Sequence, residues 1–196
     1  WIKNRDATDN HMLFDRVRGV GNDLHSNAPT GTTNPAPAEV FNANTVQRFL
    51  QRGVQVGSDV EVNTANESYS LATTGIVADA DHFAVLSYTG NATPGATIAH
   101  GLSAAPELIM HKERDNANGW IVGSTPVGFT KMLRLDQPDV AGPDAAAFND
   151  VAPNSTLITL GNGNGTNRSG GKLICYAFRS VAGVCKVGSY VGNLDD

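Results

Sequence analysis

Short apolar runs separated by polar turn clusters extend along the whole chain. The runs are bounded by Gly, Asn, Pro, Asp and Thr, a pattern typical of strands joined by turns. The predicted strands cover residues 12–14, 46–50, 54–56, 83–88, 108–111, 120–122, 131–135, 156–160, 172–178 and 184–190. Most connections are too short for crossover helices, so we expect antiparallel pairing. The pattern predicts an all-β fold in which one sheet packs on another as a sandwich.

Two single helical turns interrupt the strand pattern. Residues 144–149 combine an acidic N-cap with three alanines, which favours a helix. Residues 37–42 carry the same terminal Phe-Asn pair, so we predict a second turn there. Long loops rich in Gly, Asn, Pro and Thr at 26–37 and 161–171 are the predicted contact surfaces.

Parts of the sequence occur twice. The opening segment 1–6 recurs as residues 110–115, with Lys, Arg and Asp in register 109 positions later. Segment 83–91 recurs at 184–193. A spacing of about a hundred residues fits a small domain and is too long for a solenoid repeat. We therefore predict tandem sandwich-like units: a partial first unit at 1–75, a complete second unit at 76–180, and the start of a third unit or a closing strand at 181–196.

The last of these segments has three possible partners. Residues 184–190 resemble the opening strand of the predicted second unit. The predicted first unit has no copy of this strand. The segment could complete the first unit, pair with a neighbouring subunit, or continue into a further unit. The sequence leaves these alternatives open.

Composition excludes several classes of partner. The net charge of the 196-residue chain is −5, charged residues make up 17 %, and no basic stripe is present, which argues against nucleic-acid binding. No apolar run approaches the roughly 20 residues of a membrane-spanning helix, so we expect no membrane insertion. The hydrophobic share of 40 % is modest and Gly is frequent, with 21 residues.

No constellation of residues points to catalysis, to a cofactor or to a metal. None of the five histidines has a metal-ligand spacing, and His100 lacks a recognisable nucleophile and acid. Asp6 and Asp9 could ligate calcium, but the spacing of a calcium loop is absent. Gly161–Gly165 lacks the Lys-Ser/Thr ending of a phosphate loop, which favours a β-turn. Cys175 and Cys185 are expected to be small, reduced residues, although a hairpin turning near residues 180–183 would let them pair.

Several segments together resemble a repeated β-domain of marine tailed-phage virion proteins of the tail-fibre type. They are 83–91 followed by 97–102 and 105–109, then 1–6, 148–150 with 153–156, and the closing run 169–178. The resemblance covers nearly the whole chain and is specific as a combination. It implies a non-enzymatic structural protein of the virion, and it brings no catalytic residues.

The leading hypothesis is accordingly a phage tail fibre or appendage component with a host-adhesion role. Its expected partners are other virion proteins, further copies of itself, with a trimer favoured, and a cell-surface glycan. A capsid decoration protein and a carbohydrate-binding module are the alternatives. A glycan-binding module predicts an exposed aromatic platform, and a polysaccharide-degrading enzyme predicts paired carboxylates in a groove.

Overall fold

The computed structural model describes residues 1–27, 39–50, 53–71 and 81–192. The strands of the first half are β1 (Ile2–Asn4), β2 (Met12–Leu13), β3 (Asn22–His25), β4 (Val40–Phe41), β5 (Val46–Leu50), β6 (Gly53–Val56) and β7 (Tyr69–Leu71). Those of the second half are β8 (Phe83–Thr89), β9 (Thr97–Ala99), β10 (Leu108–Glu113), β11 (Ile121–Ser124), β12 (Lys131–Arg134), β13 (Gly142–Pro143), β14 (Leu157–Thr159) and β15 (Lys172–Phe178). Two helical turns, α1 (Ala145–Phe148) and α2 (Asn164–Asn167), lie in the second half.

Two antiparallel sheets form the centre of the molecule. The first sheet has the strand order β4-β3-β2-β1-β7, and the second has the order β13-β12-β11-β10-β15-β8. Two further antiparallel pairs, β5 with β6 and β9 with β14, lie outside these sheets. All described pairings are antiparallel, as the short connections require.

The alternation of side chains along β15 shows how the layers stack. Ile174 and Tyr176 enter one cluster with Trp120 of the second sheet and Leu24 of the first, so the two sheets pack face to face. Cys175, between them in sequence, points the other way into a second cluster. This two-sided burial follows from the period of two in a strand, and it makes β15 buried on both faces.

Each sheet has its own outer cover. The outer face of the second sheet packs on the β9–β14 pair and α1, through a cluster that includes Ile109, Phe148 and Ile158. The outer face of the first sheet packs on the β5–β6 hairpin through Ile2, Met12 and Val46. The described chain thus forms four layers with three apolar interiors.

The predicted all-β, sandwich-like architecture is confirmed. The predicted division into units at 1–75, 76–180 and 181–196 stays a prediction. The helical turn predicted at 144–149 is present as α1, where the Asp144 side chain caps the Ala146 amide.

Two local predictions are wrong. Within the predicted turn at 37–42, Val40 and Phe41 form strand β4 because they pair with β3, and residues 37–38 lie outside the described part of the chain. The strand predicted at 184–190 is absent. The strand-type pairing of that segment in the described residues is an isolated bridge from Cys185 to Val181, and residues 184–190 form no ladder with another strand.

Candidate functional site

The same hydrogen bonds follow β1 in the first sheet and β10 in the second. The Arg5 amide donates to the Ser68 carbonyl at 2.8 Å, and the Arg114 amide donates to the Lys172 carbonyl at 2.9 Å. In the first sheet the Asp6 carboxylate accepts from the Ser68 amide at 2.6 Å. In the second, the Asp115 carboxylate accepts from the Lys172 amide at 2.8 Å. The repeated Arg-Asp pair of the sequence therefore fastens the end of one strand to its neighbour in both places.

A buried acid–amide pair organises the loop after each of these strands. The amide comes first in the chain in one pair, and the acid comes first in the other. After β1, the Asn4 amide donates to the Asp9 carboxylate at 2.6 Å. After β10, the Asn118 amide donates to the Glu113 carboxylate. Asn4 and Glu113 are both fully buried. Each pair satisfies a polar group that would be costly to bury alone.

The turn that precedes α2 also has a counterpart in the first half. The Gly57 amide donates to the Thr45 carbonyl at 2.7 Å, and the Gly161 amide donates to the Ala147 carbonyl at 3.0 Å. A Cβ at Gly57 would lie closer than 3.0 Å to the backbone of Asn44, and a Cβ at Gly161 would lie closer than 3.0 Å to the backbone of Ala146, approaches that real Cβ atoms essentially never show. Both positions therefore require glycine.

An asparagine side chain closes each of these two turns. Asn63 Nδ2 donates to the Gly57 carbonyl at 2.7 Å. Asn167 Nδ2 donates to the Gly161 carbonyl at 2.8 Å. The turns at 57–63 and 161–167 thus share their backbone and side-chain bonds, and we call them the paired turns.

Buried charges connect the two sheets. Arg18 Nε donates to Asp15 Oδ2 at 2.5 Å, and the Tyr176 hydroxyl of the second sheet donates to the same carboxylate oxygen at 2.6 Å. Arg18 also contacts Glu39, whose carboxylate accepts two bonds from Arg114, from Nε at 2.9 Å and from Nη2 at 2.6 Å. We call these five residues the inter-sheet network.

The electrostatics of the inter-sheet network favour its charged form. Burial acts to raise the pKa of Asp15, but the Arg18 charge and the Tyr176 hydroxyl outweigh it and hold that pKa below its ordinary value. Desolvation raises the pKa of Tyr176 far above its ordinary range, so its hydroxyl stays protonated and remains a donor. These groups hold one another in place.

The histidines that the sequence drew attention to have structural partners. His100 is buried; its Nδ1 accepts from the Leu102 amide at 3.1 Å, and its Nε2 lies 3.1 Å from the Asn154 carbonyl. His111 is fully buried, and desolvation lowers its pKa to about 3, so the ring is neutral. The Tyr88 hydroxyl gives its single proton to the Thr166 carbonyl at 2.6 Å, so His111 Nδ1, at 2.8 Å, is the donor to that hydroxyl oxygen.

The remaining candidates also serve the fold. Trp120 is fully buried against Tyr176 and donates from Nε1 to the His25 carbonyl at 2.9 Å. Trp1 packs edge-on against His11. Asp6 and Asp9 bind the protein's own amide groups, as described above. Neither cysteine is bonded to the other: Cys175 is buried and free, and Cys185 is free and half-buried.

One of the two predicted contact loops can be placed. Within 161–171, Thr166 and Asn167 are buried, so the loop packs inward over much of its length. Its exposed part helps to line a shallow cavity of about 190 Å³, together with Arg134 and Asp144. Of the other predicted loop, residues 28–37 lie outside the described part of the chain.

In the described residues, no group of three or more His, Cys, Asp or Glu side chains could hold a metal ion. Over the same ranges, no helix is long and apolar enough to cross a membrane.

The sequence did not predict the inter-sheet network. Asp15 and Tyr176 are far apart in the chain, and nothing in their local context marks them as partners. The only local signal was the Asp15–Arg18 spacing of three residues, which is common in polar turns.

The chain belongs to a family whose model matches residues 1–196 and which is described as "Domain of unknown function (DUF7483)". No curated protein and no solved structure matches the chain. The family description gives no function, so the function has to be argued from the molecule.

Proposed function

We propose that this protein is a non-enzymatic structural component of a phage virion, a tail fibre or appendage built from tandem β units. The observation that carries the proposal is that one hydrogen-bonded framework occurs twice. Its parts are the bonds that the repeated Arg-Asp pairs make at the ends of β1 and β10, the acid–amide pairs and the paired turns. A framework used twice in a chain is the construction expected of a protein that extends or assembles by adding units.

The buried polar groups support a structural role. Glu113 accepts bonds from Asn116 at 2.7 Å and from Arg168 at 2.8 Å, in addition to the bond from Asn118. Arg18 and Asp15 are committed to the contact between the sheets. Ionisable groups that serve catalysis face a cleft, whereas these are occupied in fixing loops and layers.

The resemblance to tailed-phage virion proteins supports the location. It rests on the combined segments 1–6, 83–91, 97–102, 105–109, 148–150, 153–156 and 169–178. These segments include β1 of the first sheet and β8, β9, the start of β10 and β15 of the second half. β8 and β15 are neighbours in the second sheet, so part of the resemblance falls on strands that pair in the fold.

The two tryptophans do not favour a glycan-binding module. Trp120 is buried in the central interior and Trp1 is half-buried against His11. A sugar platform needs the face of an aromatic ring open to solvent. The host-adhesion role therefore remains part of the proposal without an assigned residue.

Labelling of intact particles tests the proposal. Antibodies raised against the purified chain should bind a projecting fibre or appendage when gold-labelled particles are imaged by electron microscopy. Label distributed over the capsid shell would favour the decoration protein instead. Particles without label after detergent-free preparation, with the protein present only in the soluble fraction of lysed cells, would overturn the virion assignment.

A further inference from the structure

The two sheets differ at one edge. In the second sheet, β15 lies between β10 and β8 and is hydrogen-bonded on both sides. In the first sheet, the corresponding strand β7 pairs with β1, and the described residues place no strand on its other side. An unpaired strand edge presents a row of free backbone donors and acceptors.

The end of β8 is held in the second sheet by the turn at 161–171. The Gly90 amide donates to the Gly171 carbonyl at 2.9 Å, and the Gly170 amide donates back to the Gly90 carbonyl at 2.9 Å. A Cβ on Gly90 would lie closer than 3.0 Å to the backbone of Asn167 and Arg168, so only glycine fits. Two residues earlier, the Tyr88 hydroxyl donates to the Thr166 carbonyl at 2.6 Å.

The first sheet contains the same receiving turn beside the edge of β7. The Glu67 amide donates to the Thr64 carbonyl at 3.3 Å, as the Gly171 amide does to the Arg168 carbonyl at 3.1 Å. Asn66 has a φ of 65° where Gly170 has a φ of 70°. A left-handed Asn is uncommon, and here it reproduces the conformation that receives Gly90.

A segment of matching sequence is present elsewhere in the chain. Residues 188–192 read Gly-Ser-Tyr-Val-Gly, and residues 86–90, which cover the end of β8 and the glycine after it, read Leu-Ser-Tyr-Thr-Gly. Tyr88 is packed in the interior of the second unit, whereas Tyr190 and Val191 are each 94 % exposed. The 188–192 segment forms no strand in its own chain.

We propose that the segment 188–192 of a second copy of this chain docks as an antiparallel strand on the outer edge of β7. The register of β8 on β15 pairs Tyr88 with Leu173 and Ser87 with Ile174. By the same register, Tyr190 lies opposite Tyr69 and Ser189 lies opposite Ser70. The Tyr190 ring then enters the interior that contains Ile2 and Val46, and Gly192 sits against the turn at 63–67.

The contacts of the residues just before the segment favour a second copy over the same chain. Cys185 Sγ lies 3.1 Å from the Arg179 carbonyl, and the Val187 amide donates to the Ser180 hydroxyl at 2.9 Å. The chain immediately before the segment is therefore tied to the end of β15, in the second sheet. An edge and a matching strand that do not meet within one chain complement each other between chains.

The resulting interface is head-to-tail. Each copy offers one edge and one strand, so the contact is heterologous and extends into a ring or an open filament. This inference names a partner for the proposed structural role and rests on it for its biological purpose. The strand docking itself is tested on purified protein, so it can fail where particle labelling succeeds, and the reverse.

A mixed cross-link tests the register. In a Cys185→Ser background, a Ser70→Cys chain is mixed with a Ser189→Cys chain and oxidised. Directly opposite Cβ atoms on neighbouring strands lie about 4.5–5.5 Å apart, which is near the range a disulfide needs. We expect a disulfide-linked heterodimer. The control is Val184→Cys with Ser70→Cys, because Val184 is exposed and lies five residues away, about 16 Å along a strand.

Two glycine variants test the docking without cross-linking. A Cβ added at Gly188 or at Gly192 would have no neighbouring atom within 4 Å in the same chain. The Gly188→Val and Gly192→Val proteins should therefore fold equally well. If the segment docks as proposed, Gly192→Val should raise the dissociation constant of self-association, measured by analytical ultracentrifugation, by about tenfold or more, which corresponds to ~1.4 kcal/mol. Gly188→Val, which matches Leu86 of β8, should leave self-association intact.

Three outcomes would overturn the proposal. The first is equal cross-linking of the Ser189→Cys and Val184→Cys chains, and the second is equal self-association of the two glycine variants. The third is a disulfide formed only within a monomer that carries both Ser70→Cys and Ser189→Cys, which would show that the segment closes its own chain.

Discussion

Arg18 is a buried cation that serves four acceptors. Its guanidinium donates to the Leu13 and Asn22 carbonyls at 2.9 and 3.0 Å and contacts the carboxylates of Asp15 and Glu39. Such a group stabilises a fold only while all of its partners are in place, because each is costly to bury alone.

Replacing Arg18 should therefore be severe. Arg18→Met leaves the Asp15 carboxylate buried without its cation, while Glu39 keeps its bonds from Arg114. We expect a loss of about 3–5 kcal/mol in the free energy of unfolding. Urea denaturation followed by circular dichroism measures it. The control is Arg48→Met, at an exposed position of β5, which should change the free energy of unfolding by less than about 0.5 kcal/mol. Equal losses in the two variants would contradict the assigned role of the inter-sheet network.

Asp23 makes stability depend on pH in an unusual direction. Burial raises its pKa to about 7, the nearby carboxylates of Glu61, Asp59 and Glu39 add to the rise, and Arg18 opposes it. Among the described residues, the ion pair of Asp23 is with His25, whose Nε2 lies 3.7 Å from the carboxylate. The folded state therefore holds a proton that the unfolded state releases near pH 4.

The sign of the effect follows from proton linkage. Between about pH 4 and 7 the folded state binds more protons at Asp23 than the unfolded state, so this group's contribution to stability falls as pH rises. Asp23→Asn should remove that component, and the difference in free energy of unfolding between variant and wild type should grow in the variant's favour from pH 4 to pH 7. A difference independent of pH would show that Asp23 titrates normally in the folded protein.

At the scale of elements, the paired turns make the strictest demand on sequence. The methyl group of Gly57→Ala would overlap the backbone of Asn44, and that of Gly161→Ala would overlap the backbone of Ala146. Overpacking of this kind costs about 1–3 kcal/mol. Thermal unfolding should show a clear loss for both. Gly142→Ala, where a Cβ meets nothing within 4 Å, is the control. If only one of the two turns proved sensitive, the equivalence between them would fail.

The sequence predicted elements well where local chemistry decided them. The Asp144 cap and the alanines after it are sufficient for α1, and the continuous apolar run at 173–178 is sufficient for β15. The turn predicted at 37–42 failed because the shared Phe-Asn pair misaligned the halves. In the structure Asn42 caps the Asn44 amide, as Asp144 caps the Ala146 amide, so Asn42 matches Asp144 and not Asn149.

The framework itself was only partly visible in the sequence. Lys, Arg and Asp at 112, 114 and 115 repeat residues 3, 5 and 6, and they indicated that this segment occurs twice. The acid–amide pairs were hidden because the two halves exchange the acid and the amide between positions. The inter-sheet network depends on the packing of the sheets, a long-range event that no local pattern encodes.

At the scale of the whole molecule, the central interior makes the two sheets interdependent. Leu24 of the first sheet is fully buried against Trp120 and Tyr176 of the second. Leu24→Ala should cost about 2–5 kcal/mol and lower the stability of both sheets in one transition, seen as coincident changes in tryptophan fluorescence and circular dichroism. Leu50→Ala, at a 46 % exposed leucine, is the control. Two separate transitions in the Leu24→Ala protein would show that the sheets fold independently.

The structural role proposed here depends on one framework being present twice, and amide hydrogen exchange measured by NMR tests that most directly. The amides of Gly57, Asp59 and Asn63 are bonded as those of Gly161, Gly163 and Asn167 are. The account predicts that both sets are protected, and that each member of a pair exchanges with a similar free energy of opening. Protection of the second set with free exchange of the first would contradict it.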